Sequence, residues 1–129
     1  MPNRARDWFR QAEHDLSQAE ESRGSGRHDW ACFASQQAAE KAVKALHLAL
    51  GQEAWGHVVA RLLQSLPSSH TAPEGLIDGA RVLDNFYIPA RYPNGHVEGP
   101  AFEHFGPVQS QRAIEHARQI PDFARPHLA

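Results

Sequence analysis

The residue types able to do chemistry gather in one stretch, Pro89 to Pro107, which holds Arg91, Tyr92, Asn94, His96, Glu98, Glu103 and His104. An arginine can hold a phosphate through a two-pronged, charge-assisted fork. A neighbouring tyrosine can stack on a base, and a histidine can move a proton near neutral pH. Between Pro89 and Pro100 the chain is too rich in proline and glycine for regular structure. Long irregular connections on a helical scaffold are often where function lies. The plainer alternative is a surface loop that its aromatic residues anchor to the scaffold. Spacing does not decide between them. Arg91 and His96 form an Arg-x4-His pair, but so do Arg23 and His28 in a chain with 9 histidines.

Other catalytic patterns fail. His96-x-Glu98 with Pro100 matches the opening of a zinc deaminase signature, but that chemistry needs a Cys-x-x-Cys pair, and Cys32 is the one cysteine. No glycine-rich phosphate cradle and no His-Glu-x-x-His motif occurs, so neither a metal nor a cofactor is expected. Cys32, between Ala31 and Phe33, reads as a small buried hydrophobe. Gln37, Lys41 and Lys44 form a polar stripe. It is either a solvated face, with Glu40 as the i,i+4 partner of Lys44, or a basic contact for phosphates.

The elements that position these residues are helical throughout. From Asn3 to about Arg23, Ala5, Trp8, Phe9, Ala12, Leu16 and Ala19 share an arc of roughly 100° at 3.6 residues per turn, and Gly24-Ser25-Gly26 ends the helix. A second helix is expected from about Asp29 to Leu50. Its main arc is mostly alanine (Ala31, Ala38, Ala39, Ala42, Ala45 and Ala49), which admits a close neighbour. Trp30, Phe33 and Leu48 lie away from that arc, so this helix needs a second packing partner, and another subunit is a candidate. His57 to Leu66 reads as a short helix stopped by Pro67. Thr71 and Glu74 match a capping box for a helix presenting Leu76, Ala80, Leu83 and Tyr87. A last helix from Pro107 presents Ser110, Ala113, Ile114, Ala117 and Ile120, with Pro121 expected to kink or end it. No stretch alternates with period two. The spacing predicts a single all-α domain over residues 1–129, an antiparallel bundle of about five helices.

Composition narrows the class. With 41% hydrophobic and 22% charged residues the chain can build a core, so intrinsic disorder is excluded. The longest apolar run, Leu46–Leu50, is broken by His47 and cannot span a membrane. A lone cysteine and no signal-like opening fit the cytoplasm. A net charge of −2 argues against general polyanion binding by a basic surface.

In order along the chain, Ala12-Glu-His-Asp15-Leu16-x-x-Ala19, then Cys32-Phe-Ala-Ser-Gln-Gln37-Ala-Ala-Glu40-Lys41-Ala-Val-Lys44-Ala-Leu46, then His57-x-x-x-x-Leu62-Leu63 and Ala90-Arg91-Tyr92-Pro93 resemble the signature of HEPN domains. The resemblance covers most of residues 5–120. It implies a helical bundle that usually forms a homodimer and often works beside a small nucleotidyltransferase, in some cases as a toxin–antitoxin pair. It also implies one of two activities. Many such domains are metal-independent ribonucleases with an Arg-x4–6-His motif, here Arg91 and His96; others are noncatalytic nucleotide binders. In the ribonuclease case His96 would move the proton and Arg91 would stabilise charge on the phosphate. This sequence departs from the catalytic pattern: Tyr92 follows the arginine, and Pro93 and Gly95 interrupt any helical turn between Arg91 and His96. The tyrosine modified in one toxin subgroup would fall at Glu98, so that regulation is not expected. The leading expectation is a nucleotide- or RNA-binding protein using Arg91, Tyr92, Lys41 and Lys44 with a transferase partner. A ribonuclease using Arg91 and His96 is the alternative, and a noncatalytic dimerisation module the second.

Overall fold

The computed structural model describes residues 3–128. Five α-helices, α1 (Ala5–Gly24), α2 (His28–Ala49), α3 (Val59–Gln64), α4 (Glu74–Asp84) and α5 (Pro107–Ala124), pack as an all-α bundle. Short 3-10 turns lie at Ser68–His70, Pro93–Gly95, Ala101–His104 and Arg125–His127, and no strand occurs among the described residues. None of these helices is long and apolar enough to cross a membrane.

The first two helices form an antiparallel hairpin. Gly26 turns the chain with φ of 81°, a conformation that glycine adopts without steric cost, and the Arg27 amide donates to the Ser22 carbonyl at 2.8 Å. At the far end the Asn3 side chain accepts from the Ala5 amide and donates to the Leu48 carbonyl. Between these ties the small-residue faces meet. Ala12, Ala19, Ala31, Ala38, Ala39 and Ala42 are wholly buried. Helix α5 lies across both, burying all five residues expected of its inner face, and Arg118 pairs with Glu20 on α1. Gly79 lets α4 approach α5, since a Cβ there would sit 2.8 Å from His116 Nδ1.

Several expectations need correction. Helix α4 has no capping box: Pro73 precedes its first turn, while Thr71 donates its hydroxyl to the Ser68 carbonyl and closes the preceding 3-10 turn instead. Pro121 does not end α5. Its ring is fully buried, and burying it offsets the one backbone bond that a proline removes, so the helix continues to Ala124. Helix α3 begins at Val59, leaving His57 outside it. Ala49, on the alanine arc of α2, is exposed because that arc outruns its neighbours at the helix end. Cys32 is buried as expected; burial, with a smaller contribution from Asp29, pushes its thiol up to about 12, so it stays protonated.

Candidate functional site

Beyond α4 the chain turns over residues 85–91 with helix-like bonds, the Arg91 amide donating to the Ile88 carbonyl at 3.0 Å. These turns deliver Arg91 onto a nest of rings. Its guanidinium carbon lies 4.2 Å from the centre of Phe33, 4.8 Å from Tyr87 and 5.1 Å from Tyr92. Its Nε donates to the Tyr87 carbonyl at 2.8 Å, the only hydrogen bond its side chain makes among the described residues. No carboxylate there pairs with it, so the two terminal nitrogens keep their donors unspent. Arg91 is therefore a fixed and uncompensated cation.

Phe33 belongs also to a groove of about 480 Å³ between α1 and α2, lined among others by Asp15, Arg27, Trp30, Gln37 and Lys41. Trp30 meets Phe33 edge-on at 6.1 Å and is 50% exposed, while Tyr92 on the other side is 47% exposed. Both rings are thus partly open to solvent. The two lysines arrive with their charges matched. Lys41 pairs with Asp15, and Lys44 pairs with Glu40 at 3.1 Å. The expected i,i+4 pair thus exists, but it is sunk in the bundle, with the Glu40 and Lys44 side chains only 6% and 14% exposed.

Glu40 organises the next layer. Its Oε1 accepts from His57 Nδ1 at 3.0 Å and from Gln36 Nε2 at 3.3 Å, while Oε2 takes Lys44. Gln36 also donates to the His57 carbonyl at 3.0 Å, so both ends of His57 are held. The His57 ring stacks on Tyr87, with centres 4.6 Å apart and planes 16° from parallel. Tyr87 is therefore shared by His57 and Arg91. Sequence reasoning missed His57 and Glu40 as site residues. The available signals were their places in the family signature and, for Glu40, a carboxylate flanked by the alanines of α2.

Asp84, at the end of α4, caps α3 by accepting the amides of Val59 at 2.6 Å and Ala60 at 3.1 Å. Burial raises its pKa against the pull of those two donors, and the nearby Glu40 charge raises it further. A raised folded-state value means that the stability linked to its protonation is full below the ordinary carboxylate range. That stability is lost as pH rises through the raised value. Asp84→Asn, which does not titrate, should therefore gain on the wild type as pH rises from about 3 to about 6. Melting temperatures of both proteins across that range check it. A gap that moves the other way would reverse the assigned cause.

His96 has different partners from Arg91. Its Nε2 donates to the Pro89 carbonyl at 2.6 Å, and its ring stacks on His104, 4.0 Å and 5° away, with Phe105 at its edge. The 3-10 turn Pro93–Gly95 folds back so closely that a Cβ on Gly95 would lie 2.9 Å from Pro89 Cα. Among the described residues no hydrogen bond joins Arg91 to His96. No group of three or more histidine, cysteine or acidic residues there can hold a metal.

The chain is thus an all-α bundle that presents an arginine fixed among aromatic rings, with no acidic partner among the described residues. The sequence matches the family model of the HEPN domain over residues 5–126, and the chain belongs to the HEPN family. It is similar over 93–100% of its length to solved structures. The Thermus thermophilus protein TT1696 is 50% identical with a TM-score of 0.96, covering 98% of this chain and 100% of that one. An archaeal HEPN homologue is 34% identical (TM-score 0.84; 100% of both chains). A HEPN domain protein of Thermotoga maritima is 33% identical (TM-score 0.75), covering 93% of this chain and 95% of that one. No curated protein matches the sequence.

Proposed function

We propose that this HEPN protein binds a nucleotide or an RNA strand, with phosphate on Arg91 and a base against Tyr92 or Trp30. The observation that carries the reading is the state of Arg91: its guanidinium is positioned by three rings and one carbonyl, yet no acid neutralises it. A cation held this way has already lost the side-chain entropy that binding would otherwise cost. Lys41 lines the groove as a hydrogen-bond donor whose charge Asp15 matches, and Lys44, tied to Glu40, adds no free charge. Cleavage by Arg91 with His96 is not part of this reading, because the two side chains have separate partners. Membership of the family, rather than this surface, supports a homodimer and a nucleotidyltransferase partner. Sedimentation of the purified protein and co-purification with such a transferase test those two.

Titration with AMP, ATP and a single-stranded oligoribonucleotide, followed by calorimetry, tests the site. Arg91→Ala should weaken binding about tenfold or more, as loss of a charge-assisted contact of about 1.5–3 kcal/mol requires. Arg91→Lys should recover only part, since an ammonium cannot replace the fork. Equal affinity in wild type and Arg91→Ala would remove the site.

A further inference from the structure

We propose that the cleft between α1 and α5 binds a free α-amino acid, its carboxylate held by Arg23 and its ammonium by Glu115. This site is separate from the Arg91 surface and does not depend on the binding reading above. The cleft, of about 420 Å³, is lined by Glu20, Arg23, Gln111, Ile114, Glu115 and Arg118.

The first observation is the state of Arg23. Its Nε is the one buried side-chain nitrogen or oxygen among the described residues with no hydrogen-bond partner. A buried donor left unmet is costly and rare in folded proteins. Its Nη2 donates to Gln111 Oε1 over a long 3.4 Å, and among the described residues no acid pairs with the guanidinium. Nε and Nη2 project from the same edge of that group, the fork that a carboxylate fills with its two oxygens. A single amide oxygen takes one donor and leaves the other.

The second observation is Glu115. Its one hydrogen bond among the described residues comes from the neutral Gln111, whose Nε2 donates to Oε1 at 3.2 Å. The other two charges of the cleft cancel, because Arg118 pairs with Glu20. What remains is one cation and one anion, separated by an amide that touches both. The oxygen and nitrogen of that amide stand about as far apart as the carboxylate and ammonium of an α-amino acid. Gln111 thus occupies, without charge, the place that a zwitterion would take with two charge-assisted contacts. It lies on the exposed side of α5 and can swing aside. A phosphate matches the cleft less well, since it would satisfy Arg23 but face the unpaired charge of Glu115.

The Arg23 Nε–H resonance, followed by proton–nitrogen correlation NMR of the whole protein, reports on the site directly. Titration with glycine should move it downfield and saturate in the millimolar range, as exposed charge contacts allow. Acetate supplies the carboxylate alone and should bind about fivefold more weakly, the upper range for an exposed ion pair. Glu115→Gln should remove that difference, so that glycine and acetate bind alike. Gln111→Ala should tighten glycine binding, since no side chain then has to be displaced. Equal midpoints for glycine and acetate on the wild type would overturn the proposal. That comparison needs no variant, so it stands even where Glu115→Gln fails to fold. Tighter binding of inorganic phosphate than of glycine would also overturn it and mark a plain oxyanion site. A resonance that does not move would overturn it too, and would make the unmet Nε a bare cost of packing α1 against α5.

Discussion

Glu40→Ala should destabilise the bundle by about 3–5 kcal/mol, the cost of breaking a buried ion pair by removing one partner. On a chain of 129 residues that lowers the melting temperature by on the order of 10–20 °C. The substitution leaves Lys44, 14% exposed, without its anion, and it strips an acceptor from both His57 and Gln36. Relief of the repulsion between Glu40 and Asp84 offsets a little of this. The control is the double variant Glu40→Leu with Lys44→Met, which removes both charges and keeps apolar volume. It should regain most of the loss, because a buried pair is costly chiefly when one member is left alone. Urea unfolding of the single and double variants measures both numbers. A single variant that costs under about 1 kcal/mol would mean that the pair behaves like an exposed i,i+4 pair on a helix surface.

The second large effect is expected at Leu46. It is wholly buried at the centre of the core, on the helix that α1, α3, α4 and α5 all pack against. Leu46→Ala should cost about 3 kcal/mol or more, the sum of lost apolar burial and an unfilled cavity. Ala49 makes the contrast. It sits on the same arc, but it is exposed and nothing packs over it. Ala49→Leu should change stability by less than about 0.5 kcal/mol. Equal costs at the two positions would show that the arc read from the periodicity, and not the packing, governs this helix.

These two predictions also mark how far the sequence was legible. Most of the buried stripes of α1, α2, α4 and α5 followed from spacing alone, because a helix must turn its apolar residues to one side. The exceptions are Trp8, which is exposed on the α1 arc, and Tyr87, which lies beyond the end of α4. The irregular stretch from Pro89 to Pro107 followed from its prolines and glycines, and it carries only two short 3-10 turns. The caps were less readable. Thr71 has a choice of nearby backbone partners, and Pro73 decided the start of α4. Pro121 broke the local rule because its surroundings reward a buried ring.

For the site, the sequence by itself determined that a cation, a base-sized ring and two histidines stand in one connection between helices. It also carried enough of the family signature to place the chain among HEPN domains, as the match over residues 5–126 shows. It could not determine which histidine faces which partner. His57 and Glu40 are separated by the end of α2 and a loop, and only the packing of α3 and α4 brings them together. The Lys44–Glu40 pair was legible from its i,i+4 spacing, but not that Asp15 neutralises Lys41 while no acid pairs with Arg91. Periodicity reports which face of a helix is buried, since that depends on local spacing. Pairing across elements depends on how two faces dock, and that is settled only when the whole core closes around them.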